Sequence, residues 1–240
     1  MVINFLVRLR TALVYGALLI SSFFLGPVYF SGLVVAGLIY ILIFEFPKIT
    51  KNNSLFWLLT PIYPVLPAIL IILLNQALNY RNLLVFLFIF TSIFDTGAYL
   101  VGRKFGKHKL SPLSPQKTWE GVWGGVLFTL FTLIYCFRRS GALSFINFNN
   151  NSSICENLIN LFIVNSSVTN LGWLLILTTV ISFLCVTGDL FESWLKRQAG
   201  LKDTSNLLPG HGGLLDRLDT VFFGAYFFYI FRIQLAKLLL

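Results

Sequence analysis

Seven apolar stretches, each near the length of a bilayer crossing, follow one another along this chain. They cover roughly 9–26, 28–46, 55–75, 82–102, 120–137, 171–190 and 218–236, and a helix needs about 20 apolar residues to cross the hydrocarbon layer. Composition agrees. The chain is 57% hydrophobic and 11% charged, whereas a soluble domain carries about 25% charged residues. A soluble core of this size neither needs nor hides so much apolar surface. The expected fold is therefore all-α: a polytopic membrane helix bundle of about seven to nine transmembrane helices with no soluble domain. Residues 1–240 read as a single integral membrane domain, with 1–80 giving N-terminal spans and 82–240 giving catalytic helices and cytoplasmic loops.

Local signals divide the runs. Gly26-Pro27 separates the first two. Pro61, Pro64 and Pro67 predict that the third is kinked or partly broken. The first run follows Arg8 and Arg10. It outlasts a signal-peptide core of about 7–15 residues and lacks a small-residue cleavage site, so it reads as a retained membrane helix.

The net charge of +9 would suggest nucleic acid in a soluble protein. Here no basic stripe carries interleaved aromatics, and the 25 Phe are spread through the apolar runs. Lys and Arg instead mark cytoplasmic loops beside anionic headgroups, so membrane lipid is expected as a partner and nucleic acid is not. With the N-terminus cytoplasmic, 13 of the 18 Lys and Arg fall inside. Cys136, Cys155 and Cys185 form no CxxC pair, and Cys185 reads as a small core residue. The Asn- and Ser-rich segment 143–170 reads as an external loop with an interfacial helix near 154–164.

Two segments on the expected cytoplasmic side hold the candidate chemistry. In the first, Asp95 interrupts an apolar helix, and intramembrane carboxylates mark function more often than structure. Tyr99 shares its face, and Thr96, Gly97 and Ala98 permit close helix approach. Gly102 to Lys109 is basic and Gly-punctuated, able to offer backbone N–H groups and Lys107 to phosphate. Ser114-Pro115 predicts a helix start, with Lys117 and Thr118 near an anion-binding terminus. Glu120 reads as a capping partner or an orienting group for Lys117.

The second segment is denser. Asp189 and Glu192 stand three apart, with Lys196 and Arg197 a turn later. Lys202, Asp203 and the glycine-rich turn Pro209-Gly210-His211-Gly212-Gly213 follow. Asp216, Arg217 and Asp219 then open the last helix. Carboxylates there are favoured by the helix dipole. Two on one face, with Asp189 from another helix, also make an oxygen-rich set for a hard cation such as Mg²⁺. Acidic residues for a metal, basic residues for phosphates and glycine-rich backbone are the equipment of phosphoryl or nucleotidyl transfer.

The run Ser193, Lys196-Arg197, Lys202-Asp203, Pro209-Gly210-His211-Gly212-Gly213 and Asp216-Arg217-Leu218-Asp219 resembles the signature of the CDP-diacylglycerol synthases (phosphatidate cytidylyltransferases). Asp95, Ala98-Tyr99, Gly102, Gly106-Lys107 and Ser114 to Gly121 resemble the same family. The resemblance implies CTP and phosphatidate as substrates, CDP-diacylglycerol and pyrophosphate as products, and Mg²⁺ dependence. It leaves room for a second, monovalent cation and for a homodimer. It makes Asp189, Asp216 and Asp219 the metal residues and sets Lys196, Arg197, Lys202 and Arg217 against CTP phosphates. Asp203 and His211 join the catalytic group. Asp95, Tyr99, Lys107, Ser114, Lys117, Thr118, Glu120, Glu192, Ser193, Gly212 and Gly213 are substrate-binding candidates. The implied location is a bacterial inner membrane with the site on the cytoplasmic side. The alternatives are a CTP-dependent kinase of a polyprenol-like lipid, or a transporter for which Asp95 is the one supporting residue.

Overall fold

The computed structural model describes residues 2–50, 53–143, 171–205, 207–209 and 212–239. Helix α1 is Val2–Leu25, α2 Pro27–Ile49, α3 Ser54–Gln76, α4 Arg81–Phe105, α5 Trp119–Leu143, α6 Leu171–Gln198, α7 Leu215–Ile230 and α8 Arg232–Leu239. Each expected apolar run is helical, but the last is interrupted at Phe231 rather than continuous to 236. Among the described residues four helices, α2, α3, α4 and most of α6, are long and apolar enough to cross a membrane. The expected loop at 143–170, apart from the end of α5, lies outside the described residues.

Residues Met1–Leu78 and Thr187–Tyr229 form one compact unit. Its centre is a buried aromatic and aliphatic set that includes Ile41, Phe46, Ile49, Tyr63 and Phe222. Helices α2 and α3 are tied by polar contacts. Asn75 Nδ2 donates to the Pro27 carbonyl at 2.7 Å and to Ser31 Oγ at 2.9 Å, and Gln76 adds a bond to Ser31. Such bonds hold helices together where lipid supplies no hydrophobic drive. The prolines of α3 act as expected. Tyr63 leaves helical geometry inside a wide turn over Pro61–Val65, and the Ile62 carbonyl accepts the Tyr226 hydroxyl of α7. A second wide turn, Ile41–Glu45, lies in α2. It places Ile41, Glu45 and Phe46 at full burial while Ile43 and Phe44 stay exposed.

Residues Asn79–Val186 and Ile230–Leu240 form the second unit. Helices α4 and α5 pack backbone to backbone. A Cβ on Gly97 would come within 2.7 Å of the Phe128 Cβ, and one on Gly125 within 2.6 Å of the Phe94 ring. The small residues predicted to allow close approach at Gly97 and Ala98 therefore do so. Leu83, Leu84, Leu87, Phe90 and Phe94 line the α4 side of this core. Cys185 is buried in this core, as expected of a small core residue.

One part of the second unit departs from the all-helical expectation. Strand β1, Lys109–Ser111, pairs antiparallel with β2, Ser114–Thr118, placing Lys109 opposite Thr118 and Ser111 opposite Ser114. The helix expected at Ser114-Pro115 begins instead at Trp119. Thr118 supplies the cap, its Oγ1 accepting the Gly121 N–H at 3.1 Å, so one of the unpaired donors of the first turn is satisfied only from that point.

Candidate active site

In the first unit, α6 brings Glu192 and Lys196 onto one face, four residues apart, and α7 brings Asp216 and Asp219. Lys196 Nζ donates to Glu192 Oε2 at 3.0 Å and to Asp216 Oδ1 at 2.7 Å. The Lys196 side chain is 13% exposed, that of Glu192 1% and that of Asp216 7%. Asp219 is buried beside them, its carboxylate facing that of Glu192. One ammonium thus answers two of three acidic groups within a few ångströms. Glu192 Oε1 is fully buried, with no hydrogen-bond donor among the described residues.

The loop between the helices is wound around Asp216. Its Oδ2 accepts the Gly213 N–H at 2.7 Å and both the N–H and hydroxyl of Thr204 at 3.1 Å. Burial pushes the Asp216 carboxyl up, but the Lys196 contact and the Gly213 N–H outweigh it and hold the group below its ordinary value. Leu208 and Gly212 exchange backbone bonds of 2.9 and 3.1 Å, closing the tight glycine-rich turn. Gly212 has φ 83, a left-handed conformation suited to glycine. A Cβ there would also come within 2.7 Å of Asp216 Oδ2. His211 and Gly210 lie outside the described residues.

The other residues of this segment occupy distinct places. A Cβ on Gly188 would stand 2.8 Å from the Asp219 carbonyl oxygen, so α6 and α7 touch there and half-buried Asp189 follows directly. Ser193 is half-buried. Arg197 donates to the Leu201 carbonyl at 3.2 Å beyond the end of α6. Lys202, Asp203 and Arg217 are exposed. Lys196, expected opposite CTP phosphates, is engaged by Glu192 and Asp216.

The second unit holds its own polar cluster. Glu120 accepts the backbone N–H groups of Lys107 at 3.1 Å and His108 at 3.2 Å, and pairs with His108 Nδ1 at 2.6 Å. The N–H groups that the sequence offers to phosphate are therefore taken by Glu120, which acts on this loop. Asp95 is exposed on α4, and Tyr99 accepts a bond from Arg103 at 3.1 Å. Lys107 is exposed; Ser114, Lys117 and Thr118 are half-buried in and beside β2.

Sequence reasoning passed over two residues of the first unit. Glu45 is fully buried and accepts bonds from Ser205, Leu214 and Leu215. Tyr63 is 3% exposed and packs edge-on against Phe191 and Phe222, with no partner for its hydroxyl among the described residues. Glu45 carried a usable signal, being a carboxylate inside an apolar run. Tyr63 carried none.

A family model described as the cytidylyltransferase family matches residues 47–234, which takes in α3 through α7 and both polar clusters. The chain belongs to the cytidylyltransferase family. It is 37% identical over 210 residues to a protein named phosphatidate cytidylyltransferase from Haemophilus influenzae, covering 81% of this chain and 66% of that one. Proteins of the same name from Staphylococcus haemolyticus and Staphylococcus aureus are 39% and 36% identical over 151 residues, covering 62% of this chain and 47% of theirs. The chain thus spans just under two thirds of the first relative and about half of the staphylococcal ones.

The acidic cluster gathers carboxylate oxygens, the kind of hard ligand a divalent cation takes. Glu192 Oε1 is a buried oxygen with no donor within hydrogen-bond distance among the described residues. Among the described residues, no three His, Cys, Asp or Glu side chains converge into a finished cage. Lys196 stands between Glu192 and Asp216.

Proposed function

We propose that this protein transfers the cytidylyl group of CTP to phosphatidate, releasing pyrophosphate and forming CDP-diacylglycerol at a membrane surface. The observation that carries the reading is the buried Glu192–Lys196–Asp216–Asp219 cluster beside a glycine-rich loop, in a chain of the cytidylyltransferase family. A phosphate oxygen of phosphatidate attacks the α-phosphorus of CTP, and the bond to the bridging oxygen of pyrophosphate breaks. The nucleophile is already anionic, so no residue is assigned as general base. Catalysis is positioning and charge stabilisation.

Through the family resemblance, Asp189, Asp216 and Asp219 are the residues that would hold Mg²⁺; among the described residues they do not form a three-ligand group, so loading requires them to move closer. When bound, the ion supplies charge neutralisation for the phosphates. Lys196 holds Asp216 and Glu192 in place. Arg197, Lys202 and Arg217, all exposed, are assigned to CTP phosphates through the family resemblance. Ser114, Lys117 and Thr118 are assigned to phosphatidate or nucleotide contacts through the family resemblance. The acyl chains stay in the bilayer. The reading includes about seven to nine spans, a cytoplasmic N-terminus and a bacterial inner membrane. A second cation and a homodimer fit it.

The test uses purified protein with phosphatidate vesicles, Mg²⁺ and each nucleoside triphosphate in turn. CTP labelled at the α-phosphate should put label into lipid. Label entering lipid from the γ-phosphate would replace the transferase with a kinase, and transport without CTP turnover would refute both.

A further inference from the structure

Helix α7 starts without a cap of its own. The residue before it is Leu214, which has no side-chain oxygen. The first N–H groups of a helix have no partner within the helix and carry its positive end. Here the partner comes from far away in sequence. Glu45 Oε1 accepts the Leu214 N–H at 2.8 Å, and Oε2 accepts the Leu215 N–H at 2.7 Å. Oε1 also accepts the Ser205 hydroxyl at 2.6 Å, pinning the other side of the loop.

Two carboxylates therefore divide the backbone of this loop. Asp216 gathers Thr204 and Gly213 from within, and Glu45 gathers Ser205, Leu214 and Leu215 from behind. The fit leaves no space. A Cβ on Gly213 would collide with Thr204 Oγ1 and come within 2.6 Å of Glu45 Oε1. Glu45 is 0% exposed, so solvent does not reach these bonds. It precedes the 47–234 stretch that marks the family.

We infer that Glu45 is a positioning residue: its carboxylate caps α7 in place of a local residue and thereby sets where Asp216 and Asp219 stand. It touches no reacting atom. The inference deepens the proposed cytidylyl transfer, and only its kinetic arm rests on that reading.

The experiment compares Glu45→Gln and Glu45→Asp with wild type in detergent micelles. Gln turns one acceptor into a donor aimed at an N–H. Amide hydrogen exchange over 204–219 should accelerate about tenfold or more in Glu45→Gln, as expected for losing charge-assisted bonds, with α4 and α5 unchanged. For each folded molecule, kcat with CTP should fall about 10- to 100-fold, the cost of a displacement near 1 Å. Glu45→Asp should recover part of both, because it keeps the charge. A merely structural role would lower the amount of folded protein but leave kcat and KM per folded molecule intact, and that result overturns the inference. Unchanged exchange at 204–219 overturns it too. If Glu45→Gln does not fold, the same two readouts on Glu45→Asp decide. If wild type itself transfers no cytidylyl group, the proposed function fails while the exchange measurement still decides the role of Glu45.

Discussion

Replacing Lys196 with Met should destabilise this protein more than any exposed substitution, and the reason lies in what is left behind. Lys196 Nζ makes contacts of 3.0 and 2.7 Å to carboxylates that are almost wholly buried. At an effective dielectric near 20, each contact is worth roughly 5 kcal/mol before desolvation. Taking the charged groups out of water costs several kcal/mol each, so the intact cluster contributes little net stability. Met keeps the stem but removes the cation, leaving Glu192, Asp216 and Asp219 together without it. Breaking a buried pair in this way costs about 3–5 kcal/mol. Adding Glu192→Gln removes one acidic group from the crowded set and should restore about 1–3 kcal/mol. Reversible unfolding in mixed detergent micelles, followed by circular dichroism, measures both. A Lys196→Met protein as stable as wild type, or a double variant no better than the single one, would refute the account.

Other expectations follow from the same contacts. Because Asp216 is held below its ordinary value, its contribution is present above the unfolded aspartate value of about 3.9 and is lost as pH falls through the lower folded value. Stability measured against pH should therefore fall below about pH 4, and Asp216→Asn should flatten that acid limb while lowering stability at neutral pH. Glu120→Ala removes the acceptor for Lys107 and His108, so trypsin should cut near Arg103 to Lys109 faster than in wild type, with α6 and α7 untouched. Gly97→Leu places a branched side chain where a Cβ alone already meets Phe128. It should separate α4 from α5, which a disulfide engineered across the wild-type pair and lost in the variant would report.

The helices were legible because apolar runs of span length leave the backbone few alternatives. Their ends were less so. Ser114-Pro115 has the local signature of a helix start, yet pairing with Lys109–Ser111 and the Thr118 cap move that start to Trp119. Of the acidic cluster, the pairing of Glu192 with Lys196 at four residues was readable from spacing. The bond from Lys196 to Asp216 crosses 20 residues and a loop, which no local pattern encodes. Glu45 was hidden by its surroundings: it lies inside the run taken as 28–46, and the criterion that singled out Asp95 applies to it equally. Its partners are 160 to 170 positions away, so its role depends on tertiary folding.

The wide turn at Ile41–Glu45 makes residue count itself a constraint on α2. At one end of that helix, Pro27 and Ser31 are held by Asn75 and Gln76; at the other, Glu45 is held by the start of α7. One residue subtends about 100° of helix. Deleting a single residue between Ile41 and Glu45 would turn the wide turn into an ordinary one and swing one of the two ends away from its partners. Substitutions at exposed Ile43 or Phe44 should be borne easily, whereas single-residue deletions beside them should not, so natural variation here should change side chains and spare the length.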